Sequence, residues 1–205
     1  MSRTRYKIFE AEYPYFITSN VVDGYPLFSK PLAAEIILKG LAFLQDKRKT
    51  TLCAYVIMEN HIHFIAQSLE LQKHLRALKS WTAREIINQF TKEGHTHQLA
   101  KLKQAKRLSH IDSDYQVWEE GFFPKQITSD AMMLQKMEYI HNNPVRRGFV
   151  DLPEDWRYSS ARNYLGIEGL IPVTLFGDSG SGAANASLRS RAAQGGKVPK
   201  VLRST

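Results

Sequence analysis

The pattern of apolar and polar positions changes period several times along the chain, and each change marks an element. Residues 15–22 are aromatic and β-branched and predict a strand. Residues 31–47 place Leu32, Ile36, Ile37, Leu41 and Leu44 at helical spacing, with Pro31 in the first turn, where a missing N–H costs nothing. Residues 51–58 and 61–67 predict two strands joined by a turn at Glu59-Asn60, a hairpin. Residues 71–90 carry Leu71, Leu75, Leu78, Ile86, Ile87 and Phe90 and predict a long helix with a basic outer face, ended by Gly94. A polar, Lys-rich connection follows, and residues 115–127 read as aromatic and partly extended. Ser129 or Asp130 is placed to cap a helix running to about Asn143, with Pro144 marking its end. The order β-α-β-β-α-β with a further helix predicts an α+β ferredoxin-like (RRM-like) sandwich, an antiparallel sheet with helices packed on it.

Composition narrows the class. The chain has 205 residues, 43% hydrophobic and 23% charged, which suits one globular domain with a full core. No apolar run approaches the roughly 20 residues of a membrane span. The first residues carry Arg3, Arg5 and Lys7 with no apolar stretch behind them, so no secretory leader is expected and the expected compartment is the cytoplasm. Cys53 is the only cysteine, which excludes an intramolecular disulfide and a Cys-rich zinc site.

The net charge is +8, a balance that favours an anionic partner, most commonly nucleic acid. A basic enzyme without such a partner is the alternative. Half of the excess lies in residues 177–205, a Gly-, Ser- and Ala-rich stretch with no aromatic residue, read as a flexible basic tail behind a domain of residues 1–176. Within the domain, residues 71–107 hold Lys73, Arg76, Lys79, Arg84, Lys92, Lys101, Lys103, Lys106 and Arg107 against Glu85 and Glu93 alone. Like charges this dense repel one another unless an anion sits among them, so they are candidates for facing phosphate; a solvated helix face is the other reading.

Two groups of residues could carry chemistry. In His61-Ile62-His63 a strand projects both imidazoles to one face and Ile62 to the other. Two imidazoles on one face make half a site for a divalent ion, or simply two surface histidines. In the second group, Tyr139 and Asn143 are four residues apart and share a helical face. A tyrosine hydroxyl is a possible nucleophile and an asparagine oxygen a possible ligand of a hard cation. Ordinary helix-end packing around Pro144 would use the same residues.

Together the two groups resemble a known family. Met58-Glu59-Asn60-His61-Ile62-His63 is similar to the histidine signature of single-tyrosine HUH transposases, and residues 139–150, from Tyr139 through Asn142-Asn143-Pro144 to Val150, resemble the tyrosine motif of the branch called REP-associated tyrosine transposases. Residues 117–123 and 156–161 resemble that branch as well. Glu59 stands where the family usually has proline, and Asn143 where insertion-sequence relatives have a glutamine that completes the metal site.

The resemblance implies a DNA transposase that cleaves and rejoins single-stranded hairpin DNA through a 5′-phosphotyrosine. Tyr139 would be the nucleophile, and Mg²⁺ or Mn²⁺ would be held by His61, His63 and a third ligand, Asn143 in preference to His141 or Glu59. Lys73, Arg76, Lys79, Arg84, Lys101, Lys103, Lys106 and Arg107 would follow the DNA backbone, and Trp81 would stack on an unpaired base unless it is a core residue. The implied setting is the cytoplasm, associated with the nucleoid, with no membrane partner, as a monomer or a homodimer. The competing readings are a domesticated DNA-binding protein without strong catalysis and a small metal-dependent hydrolase built on the two histidines.

Overall fold

The computed structural model describes residues 8, 10–107 and 113–177. The proposed tail therefore lies almost wholly outside the described residues. In chain order the elements are β1 (Tyr15–Asn20), α1 (Pro31–Arg48), β2 (Thr51–Ile57), β3 (His61–Gln67), α2 (Leu71–Lys92), α3 (Thr96–Gln104), β4 (Phe123–Gln126), α4 (Asp130–His141), α5 (Asn143–Arg146) and α6 (Ala161–Tyr164). The four strands form one antiparallel sheet in the order β2-β3-β1-β4, the ferredoxin-like arrangement that the element order predicts.

Alternation along the strands builds two apolar layers. Tyr15, Ile17, Ile62 and Phe64 face α1 and α2 and join a core with Ile37, Leu41, Leu75 and Phe90. Phe16, Val56 and Ile65 face the other way and join Met133, Met137 and Ile140 of α4. A bulge in β2 makes this possible. The register steps from Leu52 opposite Ala66 to Ala54 opposite Ile65, so Cys53 is the extra residue and Leu52 and Ala54 enter different cores. On the first layer α1 and α2 approach closely at Gly40, where a Cβ would lie 2.6 Å from Leu78 Cδ1 and 3.2 Å from Thr82 Cγ2.

Helix boundaries follow local chemistry, with two departures from the sequence reading. Gly94, at φ +73°, ends the run of α2 in a conformation that favours glycine. The Lys-rich connection after it is not a loop: residues 96–104 form α3, whose Leu99 and Leu102 are buried against the first core. Ser129 caps α4, its Oγ accepting from Met132 N at 3.3 Å. Pro144 does not end the helical run. α4 stops at His141, and Pro144 sits at the start of α5, where the missing N–H breaks no hydrogen bond.

The edge of β2 is covered by residues 156–160. Trp156 Nε1 donates to Ile57 O at 3.0 Å, Ile57 N donates to Tyr158 O at 2.9 Å, and Ser160 Oγ accepts from Tyr55 N at 2.9 Å. An otherwise open strand edge is thereby paired.

Candidate active site at the tyrosine helix and the histidine strand

β3 delivers His61 and His63 to the face of the sheet covered by α4, because Ile62 and Phe64 between and beside them fill the opposite core. The two rings meet edge to face with centroids 4.7 Å apart. His63 is buried and stacks on Phe16 at 5.3 Å, and across β1 its Nδ1 lies 2.8 Å from Thr18 Oγ1. His61 Nδ1 lies 2.7 Å from Asn60 Oδ1. Asn60 Nδ2 donates to Gly24 O at 3.1 Å, which leaves Oδ1 as an acceptor and makes His61 Nδ1 the protonated nitrogen. Both Nε2 atoms are free of described hydrogen bonds.

Burial pushes the His63 imidazole down to about 3, helped by neighbouring His61 and Lys136. His61 is lowered as well, by burial first, against the opposing influence of Glu59. Both rings are therefore neutral at physiological pH, the form that ligates metal.

α4 carries Tyr139 onto this pair. Its ring centroid is 5.3 Å from that of His63 and 5.8 Å from that of Phe16, both near perpendicular. The Tyr139 side is 37% exposed, and its hydroxyl makes no hydrogen bond among the described residues. Two cations lie over the ring: Lys136 Nζ at 5.8 Å and Arg146 Cζ at 5.7 Å from the centroid. Lys136 is lowered from its ordinary value by burial and by nearby Lys125. Arg147 turns instead to the β2–β3 turn, where its Nη2 lies 2.5 Å from Glu59 Oε1; Glu59 Oε2 is buried without a partner. A cleft of about 460 Å³ opens beside His61, lined among others by Asn20, Asn60, Phe123 and Arg147.

The other candidate residues are distributed less compactly. Asn143 is buried at the first position of α5, and its side chain makes no described hydrogen bond. His141 turns into the second core, with Nε2 2.9 Å from Ser160 Oγ and its ring against Tyr164, and burial pushes it down to about 4. Among the described residues no three of His, Cys, Asp and Glu converge on one point, so Glu59 does not stand with the two histidines as a ready-made ligand set.

The basic helix is not beside Tyr139. α2 packs on the opposite face of the sheet, and its exposed residues point away from the sheet. Arg76 and Arg84 are exposed there, and Lys73 is paired with Glu70 at 2.8 Å. Lys79 is engaged within the protein. Its Nζ donates to Glu119 O at 2.6 Å and to Gly121 O, and it lies 5.7 Å over the Trp118 ring. Burial pushes its ammonium down to about 8. Trp81 is 41% exposed and packs beside Gly40 of α1, on the same remote layer. On α3, Lys101 and Lys103 are exposed; beyond its end Lys106 is half-buried and Arg107 pairs with Glu119 at 2.8 Å.

The sequence assigns no role to Lys125 and Lys136, which do not cluster along the chain, or to Arg146, which lies within the tyrosine motif. The signals available were that Lys136 precedes Tyr139 by one helical turn and that Arg146 lies in the same motif as Tyr139.

No family model matches the chain. A Haemophilus influenzae protein named as a REP-associated tyrosine transposase is 30% identical over 107 residues, 52% of this chain and 56% of that protein. A REP-associated tyrosine transposase of Escherichia coli is 24% identical over 125 residues, 61% of this chain and 62% of the relative. The chain thus spans less than two thirds of the length of these curated relatives. A solved REP-associated tyrosine transposase, bound to a REP hairpin, covers 87% of this chain and 93% of its own with a TM-score of 0.54 and 22% identity. The fold is similar to that of the solved transposase, and the sequence relatives bear out the resemblance to REP-associated tyrosine transposases. Among the described residues no helix is long and apolar enough to cross a membrane.

Proposed function

We propose that this protein is a metal-dependent single-strand DNA transposase that cleaves and rejoins hairpin DNA, with Tyr139 as nucleophile. The observation that carries this reading is the Tyr139 ring set 5.3 Å from His63, with His61 edge to face against His63 and two cations over the tyrosine ring. The relatives' names and the hairpin held by the solved neighbour point to the same substrate class.

The residues fit a divalent ion. Both imidazoles are neutral, each has its Nδ1 engaged, and each presents Nε2. His61 and His63 would hold Mg²⁺ or Mn²⁺, with the Asn143 amide oxygen as the third protein ligand. When bound, the ion would neutralise charge on the scissile phosphate oxygens. Thr18 and Asn60 would hold the ring tautomers, each accepting from a protonated Nδ1.

The chain's own chemistry is a transesterification. Tyr139 Oη attacks phosphorus, the Oη–P bond forms and the P–O3′ bond breaks. The phenolic proton leaves to solvent, and the departing 3′ oxygen takes one up as a free 3′-OH. The 5′ side remains on Tyr139. A second 3′-OH reverses the step on a new partner without ATP, because the phosphotyrosine ester keeps the bond energy.

The test is incubation with Mn²⁺ and a hairpin-containing single strand from the DNA flanking the gene. An adduct resistant to SDS, absent without the metal, is the expected result. Tight hairpin binding with no adduct would instead describe a domesticated binding protein.

A further inference from the structure

We propose that Lys136 and Arg146 form a phosphate clamp around Tyr139, gripping the non-bridging oxygens of the DNA phosphodiester that the tyrosine attacks. This inference rests on the function proposed above and names the residues that receive its substrate's charge.

The Tyr139 ring is bracketed by the two cations. Lys136 Nζ lies 5.8 Å from its centroid and Arg146 Cζ lies 5.7 Å away. Lys136 reaches the ring from one turn earlier on α4 and also lies 5.1 Å over Phe16. Arg146 reaches it from α5, after the break between the two helices. Among the described residues neither cation makes an ion pair. Lys73, Arg107 and Arg147, by contrast, are each matched with a carboxylate.

A third cation is close. Lys125 lies opposite Phe16 in the β1–β4 register and acts electrostatically on Lys136. Like charges gathered on one face repel, and cation–π contacts at exposed sites return too little to hold them together. The arrangement is therefore one that an anion would stabilise, and its location over the ring of Tyr139, whose hydroxyl makes no hydrogen bond among the described residues, says which anion. A phosphodiester is negatively charged and repels an oxygen nucleophile. An arginine fork and a lysine point charge offset that repulsion and stabilise the charge that builds on the oxygens during attack. The covalent step is the transesterification given above; the clamp adds no bond and transfers no proton.

The clamp is tested with Lys136→Met and Arg146→Met, alongside the charge-preserving Lys136→Arg and Arg146→Lys, each checked for an unchanged thermal midpoint. The first probe is oligothymidine, titrated by fluorescence anisotropy over a salt series. Loss of one phosphate contact should flatten the slope of log K against log salt by about 0.7 in each methionine variant. The second is the flanking-DNA hairpin with Mn²⁺ at saturating concentration. The rate of adduct formation should fall about 100-fold in each methionine variant, the range of a lost oxyanion donor. Lys136→Arg and Arg146→Lys should keep most of the rate. Wild-type slopes and adduct rates in both methionine variants would overturn the clamp. Persistence of the adduct in Tyr139→Phe, or no adduct with the wild-type chain, would overturn the nucleophile assignment instead, while the oligothymidine slopes still decide the clamp.

Discussion

Thr18 and His63 face each other across β1 and β3, with Thr18 Oγ1 2.8 Å from His63 Nδ1. This contact occupies one ring nitrogen and leaves Nε2 as the only one able to bind a metal. Removing such a partner typically weakens metal binding 10- to 100-fold. Thr18→Val, which keeps the shape and removes the hydroxyl, should lower Mn²⁺ affinity by about that factor in isothermal titration, and Thr18→Ser should restore it. His63→Ala should abolish binding and also cost about 1–3 kcal/mol of stability, because His63 is buried, hydrogen-bonded and stacked. His61 is only half-buried, so His61→Ala should lose metal with a smaller change in urea midpoint.

Tyr139→Phe removes one oxygen and keeps the ring contacts to His63 and Phe16. Its hydroxyl has no described hydrogen bond to lose. Stability should stay within about 0.5 kcal/mol, the range of ordinary surface changes. Hairpin affinity should be nearly unchanged and the SDS-resistant adduct absent. Denaturing gel analysis of the Mn²⁺ reaction decides it.

Lys79 and Arg76 are three residues apart in one basic helix and should behave oppositely. Lys79→Met removes hydrogen bonds to the carbonyls of Glu119 and Gly121 and should destabilise the fold by about 1–3 kcal/mol, with the salt slope of DNA binding unchanged. Arg76→Ala should leave stability alone. If the far face of the sheet meets hairpin duplex, its salt slope should flatten by up to about 0.9. Anisotropy over a salt series, paired with urea unfolding, separates the two. An unchanged Arg76→Ala slope places the DNA on the Tyr139 face alone.

Cys53 sits at the bulge of β2, and burial pushes its thiol up to about 11. The thiol of the unfolded chain ionises near about 8.5. Between these values the folded chain holds a proton that the unfolded chain has released, so stability should fall as pH rises above about 8.5. Cys53→Ser should show a weaker fall. At pH 8 the native protein should resist iodoacetamide and react only after urea is added, as followed by mass spectrometry.

Much of the fold is legible in the chain because each strand and each long helix carries its own period. The β2 and β3 boundaries, the start of β1, the α1 stripe and the Ser129 cap are local features, set by steric alternation and backbone hydrogen bonding, whereas β1 ends at Asn20, two residues short of the predicted strand. The α3 helix was not legible. Its apolar signal is Leu99 and Leu102 alone, embedded among lysines, and these are buried only because the first core reaches them. The end of α4 was misplaced because Pro144 both stops a helix and starts one, and the chain resumes helical geometry after Asn142.

The sequence by itself determined that His61 and His63 share a face, since strand alternation allows nothing else, and it supplied Tyr139 through its motif. It did not determine that α4 lays Tyr139 on those histidines. That depends on Met133, Met137 and Ile140 packing against Phe16, Val56 and Ile65, contacts between segments far apart in the chain. Nor did it determine which cations face the tyrosine. Density along the chain singled out α2, but burial of Leu71, Leu75 and Phe90 on the opposite layer turns that helix away and draws Lys79 inward. Lys136 and Arg146, scattered in the sequence, come together only because α4 and α5 meet at a break beside Tyr139. Local pattern is fixed by backbone sterics, whereas the company a side chain keeps is fixed by which apolar faces find each other.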